Sequence, residues 1–154
     1  MTTLASLRPA TGADANFVLS SWLKSFFRNR QMWVPLPLAE HEYFHGHHRL
    51  LEKLLQRASV VVACDQQDPS QILGWLCYEM IREPKEILVV HFVYVKSAYR
   101  GFGVGRQLWN AVHVPDIRTV ATHWTKRLKE DKAELRYNLE YNPYLAMTCS
   151  TEAA

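Results

Sequence analysis

An α/β chain (α+β in its mixture of elements) is what this sequence predicts, and three observations predict it. Residues 86–108, EILVVHFVYVKSAYRGFGVGRQL, run from a hydrophobic strand through a glycine-rich loop into a helix. Residues 59–64 and 72–81 are β-rich runs separated by the polar turn 65–70, a hairpin signature. Residues 15–28 and 42–57 carry apolar side chains at helical spacing.

Each element has a local reason. Residues 4–8 read as a short strand, and Thr11-Gly12-Ala13-Asp14 as a turn in which Asp14 or Thr11 caps a helix. That helix, 15–28, presents Phe17, Val18, Trp22, Leu23 and Phe26. Pro35 and Pro37 make a loop, and the second helix shows Leu50, Leu51, Leu54 and Leu55 on its apolar face. After the hairpin, Pro84 sits in the turn 82–85 that leads into the strand 87–95, which holds four valines and two aromatics. A helix at 103–112 follows the glycine loop and ends near Pro115. Residues 118–124 read as a strand, 125–133 as a short polar helix, and 135–141, with Leu135, Tyr137, Leu139 and Tyr141 in alternation, as a final strand.

Composition bounds the function. The chain has 154 residues, enough for one domain with a real core, and 48% hydrophobic against 21% charged residues is ordinary globular composition. A net charge of +3 implies no nucleic-acid partner and suits a polyanionic small ligand. Cys64, Cys77 and Cys149 are an odd count without a Cys-x-x-Cys pair, which points to reduced thiols and a cytoplasmic location. No apolar run approaches membrane-spanning length, and residues 1–8 lack a signal-peptide pattern. Monomer and homodimer both remain open.

The loop Arg100-Gly101-Phe102-Gly103-Val104-Gly105 carries the chemistry. Backbone N–H groups converge there at the positive end of a helix, and glycine permits positive φ and close approach, which together make a phosphate site. Spacing separates the families that use such a loop. No Lys-Ser/Thr follows Gly105, as a Walker loop requires, and Gly101-x-Gly103-x-Gly105 has the wrong step for a Rossmann fingerprint. Arg100-x-x-Gly103-x-Gly105, preceded by the run from Val95 to Arg100, resembles motif A of the GNAT acetyltransferase superfamily. The opening Leu7-Arg8-Pro9-Ala10-Thr11 with Asp14 is also similar to the usual start of that family. Thr122-His123-Trp124-Thr125 and Tyr141-Asn142-Pro143-Tyr144-Leu145 resemble segments of small GNAT-like proteins of phages and prophages.

The resemblance implies a GNAT fold over 1–154, a mixed and mostly antiparallel sheet with helices on both faces. It implies acetyl-CoA as ligand and an unidentified amine as acceptor. Gly101 to Gly105 with Arg100 and Arg106 would hold the CoA pyrophosphate, and the backbone of Val93 and Val95 would pair with the pantetheine arm. His91 lies nine residues before Arg100, where the family often has a polar residue facing the acceptor. Simple alternation puts it on one strand face with Ile87, Val89, Val93 and Val95, and an imidazole suits a base at neutral pH. The other reading of His91 is a buried histidine satisfied by a neighbour, with Glu86 as the second strand-borne candidate. The family's usual tyrosine acid is replaced by Glu134 in the best local alignment, so Tyr141, ahead of Tyr137 and Tyr144, becomes the preferred acid. His123 is a second base candidate or lines the acceptor pocket, and Trp33, Glu40, His41, Tyr43 and His45 would shape acceptor specificity.

Two other readings remain. His41-Glu42-Tyr43-Phe44-His45 matches the zinc-protease pattern His-Glu-x-x-His, which would make the chain a zinc hydrolase, although a third ligand is not apparent. The missing tyrosine leaves room for a GNAT-fold module that binds CoA without turnover.

Overall fold

The computed structural model of the chain describes residues 5–29, 40–123, 125 and 139–147. The elements run β1 (Ala5–Pro9), α1 (Ala15–Asn29), α2 (Glu40–Arg57), β2 (Ser59–Asp65), β3 (Ile72–Ile81), β4 (Ile87–Val95), α3 (Val104–Val112), β5 (Arg118–Ala121) and β6 (Leu139–Tyr141). The expected short helix at 125–133 and most of the strand at 135–141 lie outside the described residues, apart from Thr125 and the β6 stretch.

The six strands form one open sheet in sequence order, β1-β2-β3-β4-β5-β6. The first three pairings are antiparallel and the last two parallel. α1 and α2 cover one face, where Val18, Trp22, Phe26, Tyr43, Leu51 and Leu54 bury against Trp75, Cys77 and Phe92. α3 covers the other, where Val104, Leu108 and Trp109 bury against Leu73, Leu76, Leu88 and Val90. This is the mixed sheet with helices on both faces that the family resemblance implies. Each helix docks through one apolar stripe because its remaining positions are polar.

Three local devices fix the frame. Asp14 closes the turn before α1, accepting from the Thr11 N–H at 2.7 Å and from Arg8. Trp75 donates its indole N–H to Ser21 Oγ at 2.9 Å, tying β3 to α1 with its polar atom satisfied. At Gly74 an added Cβ would stand 2.5 Å from the Tyr94 carbonyl oxygen, so β3 and β4 approach there only because the residue has no side chain.

Simple alternation fails in the middle of β4. Tyr78 pairs with Val90 and Cys77 with Phe92, so His91 is an extra residue, a β-bulge. Leu88 and Val90 face α3 before it, Val93 and Val95 pack on that same side after it, and Phe92 joins the α1/α2 side. His91 therefore does not share a face with Val93 and Val95, as expected from period two; the inserted residue shifts the phase. β5 also ends at Ala121, short of the expected 124. Among the described residues its last link to β4 is Thr122 N–H to the Val90 carbonyl at 3.3 Å, and no pairing of the two strands follows it there.

Candidate active site

The glycine loop closes on β4 from its C-terminal end. Arg100 donates Nε–H to the Val95 carbonyl at 2.9 Å, which pins the loop to the strand end. Gly101 and Gly103 have φ of 85° and 87°, the left-handed region that L side chains rarely adopt. Gly103 is the residue before α3, and the first intrahelical bond runs from Gln107 N–H to its carbonyl at 2.9 Å. The N–H groups of the preceding helix positions thus have no intrahelical acceptor and point out of the helix start. Val104 is buried as a core side chain, while Phe102 and Arg106 are exposed. Gly105 is different: a Cβ there would meet only Val95 Cγ2, at 3.6 Å, an ordinary contact.

Val93 and Val95 are half-buried. Lys96 N–H turns to β3, bonding the Leu73 carbonyl at 2.9 Å. By alternation the amides of Val93 and Val95 turn to the opposite edge, where β5 has already left. Among the described residues no strand pairs with that edge, so an extended ligand could add to it there.

His91 is fully buried with both ring nitrogens engaged: Nε2 lies 3.0 Å from Glu79 Oε2 and Nδ1 2.9 Å from Thr122 Oγ1. Burial holds the imidazole below its usual pKa, outweighing the neighbouring carboxylate. For Glu79 burial acts to raise the pKa, but the hydrogen bond from His91 and the Arg57 guanidinium, 2.9 Å away, hold it below the usual value as a carboxylate. Arg57 also donates to the Leu145 and Ala146 carbonyls, both at 3.1 Å, tying α2 to the segment after β6.

His123 is buried among Trp22, Phe26 and Phe92. Its Nδ1 lies 3.0 Å from Thr122 Oγ1 and its Nε2 2.9 Å from His47 Nε2. Burial keeps His123 well below the usual imidazole pKa, and burial brings His47 down to about 4. His47 stacks on Phe26 and Tyr43 and is only partly buried.

The remaining expected residues divide. Tyr43 is buried and donates its hydroxyl to the Leu23 carbonyl at 2.8 Å, so it builds the core beside His47 instead of an open pocket wall. Glu40, His41 and His45 are exposed on α2, and the rings of the two histidines lie 6.4 Å apart. Among the described residues no group of three or more His, Cys, Asp and Glu could hold a metal ion. Tyr141, half-buried on β6, pairs with Ala121 next to Thr122. Burial, with Tyr144 nearby, raises its pKa, so the phenol keeps its proton. Glu86 is exposed and pairs with Arg82. Trp33 and Tyr137 lie outside the described residues.

Glu79, Arg57 and His47 belong to no motif that marks them in the sequence. One signal could have found His47. Counting back by four from Leu51 on the apolar stripe of α2 gives His47 and then Tyr43.

The family model described as Acetyltransferase (GNAT) family matches residues 19–113, well over half the chain. No curated protein matches in sequence. Among solved structures, the chain is similar to a possible acetyltransferase from Clostridium difficile 630, at 17% identity and TM-score 0.58, covering 91% of this chain and 95% of that one. It is also similar to a protein from Clostridium acetobutylicum described as a predicted acetyltransferase with acetyl-CoA, at 14% identity and TM-score 0.54, covering 87% and 90%. At these identities the likeness is one of fold. Among the described residues no helix is long and apolar enough to cross a membrane.

Proposed function

Because the chain belongs to the GNAT acetyltransferase family, we propose that it is a single-domain, cytoplasmic N-acetyltransferase that binds acetyl-CoA and acetylates an amine. The observation that carries this reading is the loop from Arg100 to Arg106. Positive φ explains Gly101 and Gly103. Nothing among the described residues explains Gly105, which sits in the first turn of α3 with room for a Cβ. A glycine costs a helix roughly 1 kcal/mol against alanine. Close approach of the CoA pyrophosphate to the Gly105 amide supplies the missing reason. Arg106, exposed beside it, adds charge, while Arg100 holds the loop to Val95 and offers its remaining N–H groups. The β4 edge at Val93 and Val95 takes the pantetheine arm as an added strand.

The acceptor nitrogen then attacks the thioester carbonyl carbon; a C–N bond forms and the C–S bond breaks. Tyr141 supplies the proton to the departing thiolate. The base function reaches His91 through Thr122, because no ring nitrogen of His91 faces open space.

The test is calorimetric titration of the full chain with acetyl-CoA, and the same with Gly103→Asp. The mutation adds a side chain at positive φ and a negative charge among the phosphate-facing amides. Wild type is expected to bind and folded Gly103→Asp to lose binding. Equal affinity in the two would overturn the reading. Binding without turnover across a panel of amines would leave the non-catalytic CoA-binding module.

A further inference from the structure

The hydrogen bonds around His91 form one continuous chain, Glu79–His91–Thr122–His123–His47, crossing from β3 over β4 and the end of β5 to α2. Its four links measure 2.9 to 3.0 Å. The three middle members are buried, and the two ends are Glu79, anchored by Arg57, and the partly buried His47.

Chemistry gives the chain a single direction. A carboxylate only accepts, so His91 must donate from Nε2. A neutral imidazole has one N–H, so His91 Nδ1 is bare and accepts the Thr122 hydroxyl proton. That hydroxyl has no second proton, so its link to His123 Nδ1 is a bond donated by His123. His123 Nε2 is then bare and accepts from His47 Nε2–H. His47 is left with a bare Nδ1, which has no partner among the described residues. One carboxylate at one end thus fixes three tautomers and a hydroxyl rotor, up to a residue three elements away.

We propose that this uniformly oriented chain is a proton relay, with His47 Nδ1 as its entry and Glu79 as its far terminus, where the proton rests only until product leaves, and that it takes up the proton lost by the acceptor amine. This role rests on the acetyltransferase reading above. When a proton arrives at His47 Nδ1, the Nε2 proton of His47 passes to His123 Nε2. The Nδ1 proton of His123 passes to Thr122 Oγ1, the hydroxyl proton to His91 Nδ1, and the Nε2 proton of His91 to Glu79 Oε2. No imidazole carries a lasting charge, and the carboxylate is neutralised. After product leaves, reverse flow releases a proton to water at His47 and restores every tautomer without a ring flip. Every relay member acts through the next one, so Thr122, His123 and His91 are positioning residues.

The experiment has two arms on the full chain. In the first, ¹⁵N-histidine NMR of wild type at neutral pH reads tautomers directly. The expected set is Nε2–H for His91, Nδ1–H for His123 and Nε2–H for His47; any other set overturns the relay. In the second, a panel of a polyamine, an amino sugar, a lysine peptide and a free peptide N-terminus is offered with acetyl-CoA, and kinetics are measured on the amine that reacts. Thr122→Val removes the link and keeps the side-chain shape. It is expected to lower kcat by about tenfold or more, a modest relay effect for general base catalysis, to leave KM for acetyl-CoA within about twofold, and to lose a multi-proton solvent isotope effect. Thr122→Ser should recover most of the rate. A folded Thr122→Val enzyme with wild-type kcat and isotope effect overturns the proton-carrying role. The expected tautomers in a protein that acetylates none of the amines would support the oriented chain and sink the acetyltransferase reading.

Discussion

Gly105 and Gly101 sit four residues apart in one loop and answer to different demands. At Gly101 the backbone has φ of 85°, and any L side chain there is strained; Gly101→Ala should destabilise the protein by about 1–2 kcal/mol. At Gly105 a methyl group has room. Gly105→Ala should stabilise the fold by up to about 1 kcal/mol through helix propensity while weakening acetyl-CoA binding. Denaturant melts paired with calorimetry separate the two effects. A Gly105→Ala protein that keeps full affinity would show that this glycine has no ligand-facing purpose. The loop was legible as sequence because glycine spacing is itself the physical requirement.

At the scale of one element, α2 shows how a motif misdirects. The eye stops at His41-Glu42-x-x-His45, yet the helix turns those residues to the surface, and the stripe Tyr43, His47, Leu51, Leu54 faces the core. The pattern was visible, but which face is buried depends on what packs against it. Gly46 lies within this helix, where an added Cβ would meet no described atom within 4 Å outside its own turns and φ is not positive. Gly46→Ala should therefore raise stability by roughly 0.5–1 kcal/mol, read as a shift in urea midpoint with an unchanged slope. A loss of stability instead would mean that α2 needs local freedom next to His47. At the other end of the helix, Arg57→Ala would leave the Glu79 carboxylate short of a donor beside buried His91, at a cost of about 1–3 kcal/mol. Thermal melts of Arg57→Ala against the Glu79→Gln/Arg57→Ala double variant would check this: the second change should cost less once the first is made.

For the whole molecule, three partly or fully buried histidines pull in one direction with pH. Burial lowers His47, His91 and His123, His47 to about 4 against an ordinary value of 6.5. The unfolded chain then binds more protons than the folded one between about pH 4 and 6.5, so stability is full above 6.5 and falls as pH falls through this window. Asp14, held at about 2 by its bond from Arg8, adds a further loss on acidification below its ordinary 3.8. The transition midpoint in urea should drop steeply between pH 7 and pH 5, and His47→Gln should make that fall shallower. A flat profile over this range would mean that the imidazoles are charged in the folded protein.

The sequence by itself determined the order of the described elements, the hairpin, the glycine loop and the family, because each rests on local physics: side-chain period, turn chemistry and glycine spacing along a few residues. Tertiary structure decided the surroundings of the histidines. His91 reads from sequence as one step in a regular alternation, and only pairing with β3 reveals it as the extra residue of a bulge. Glu79, Thr122 and His47 lie 12, 31 and 44 positions from His91, and no local pattern links them. They meet because β3 and β4 pair, β5 parts from β4 after Ala121, and α2 packs over the gap. Hydrogen-bond partners and burial, which set both tautomer and pKa, exist only after those long-range contacts have formed.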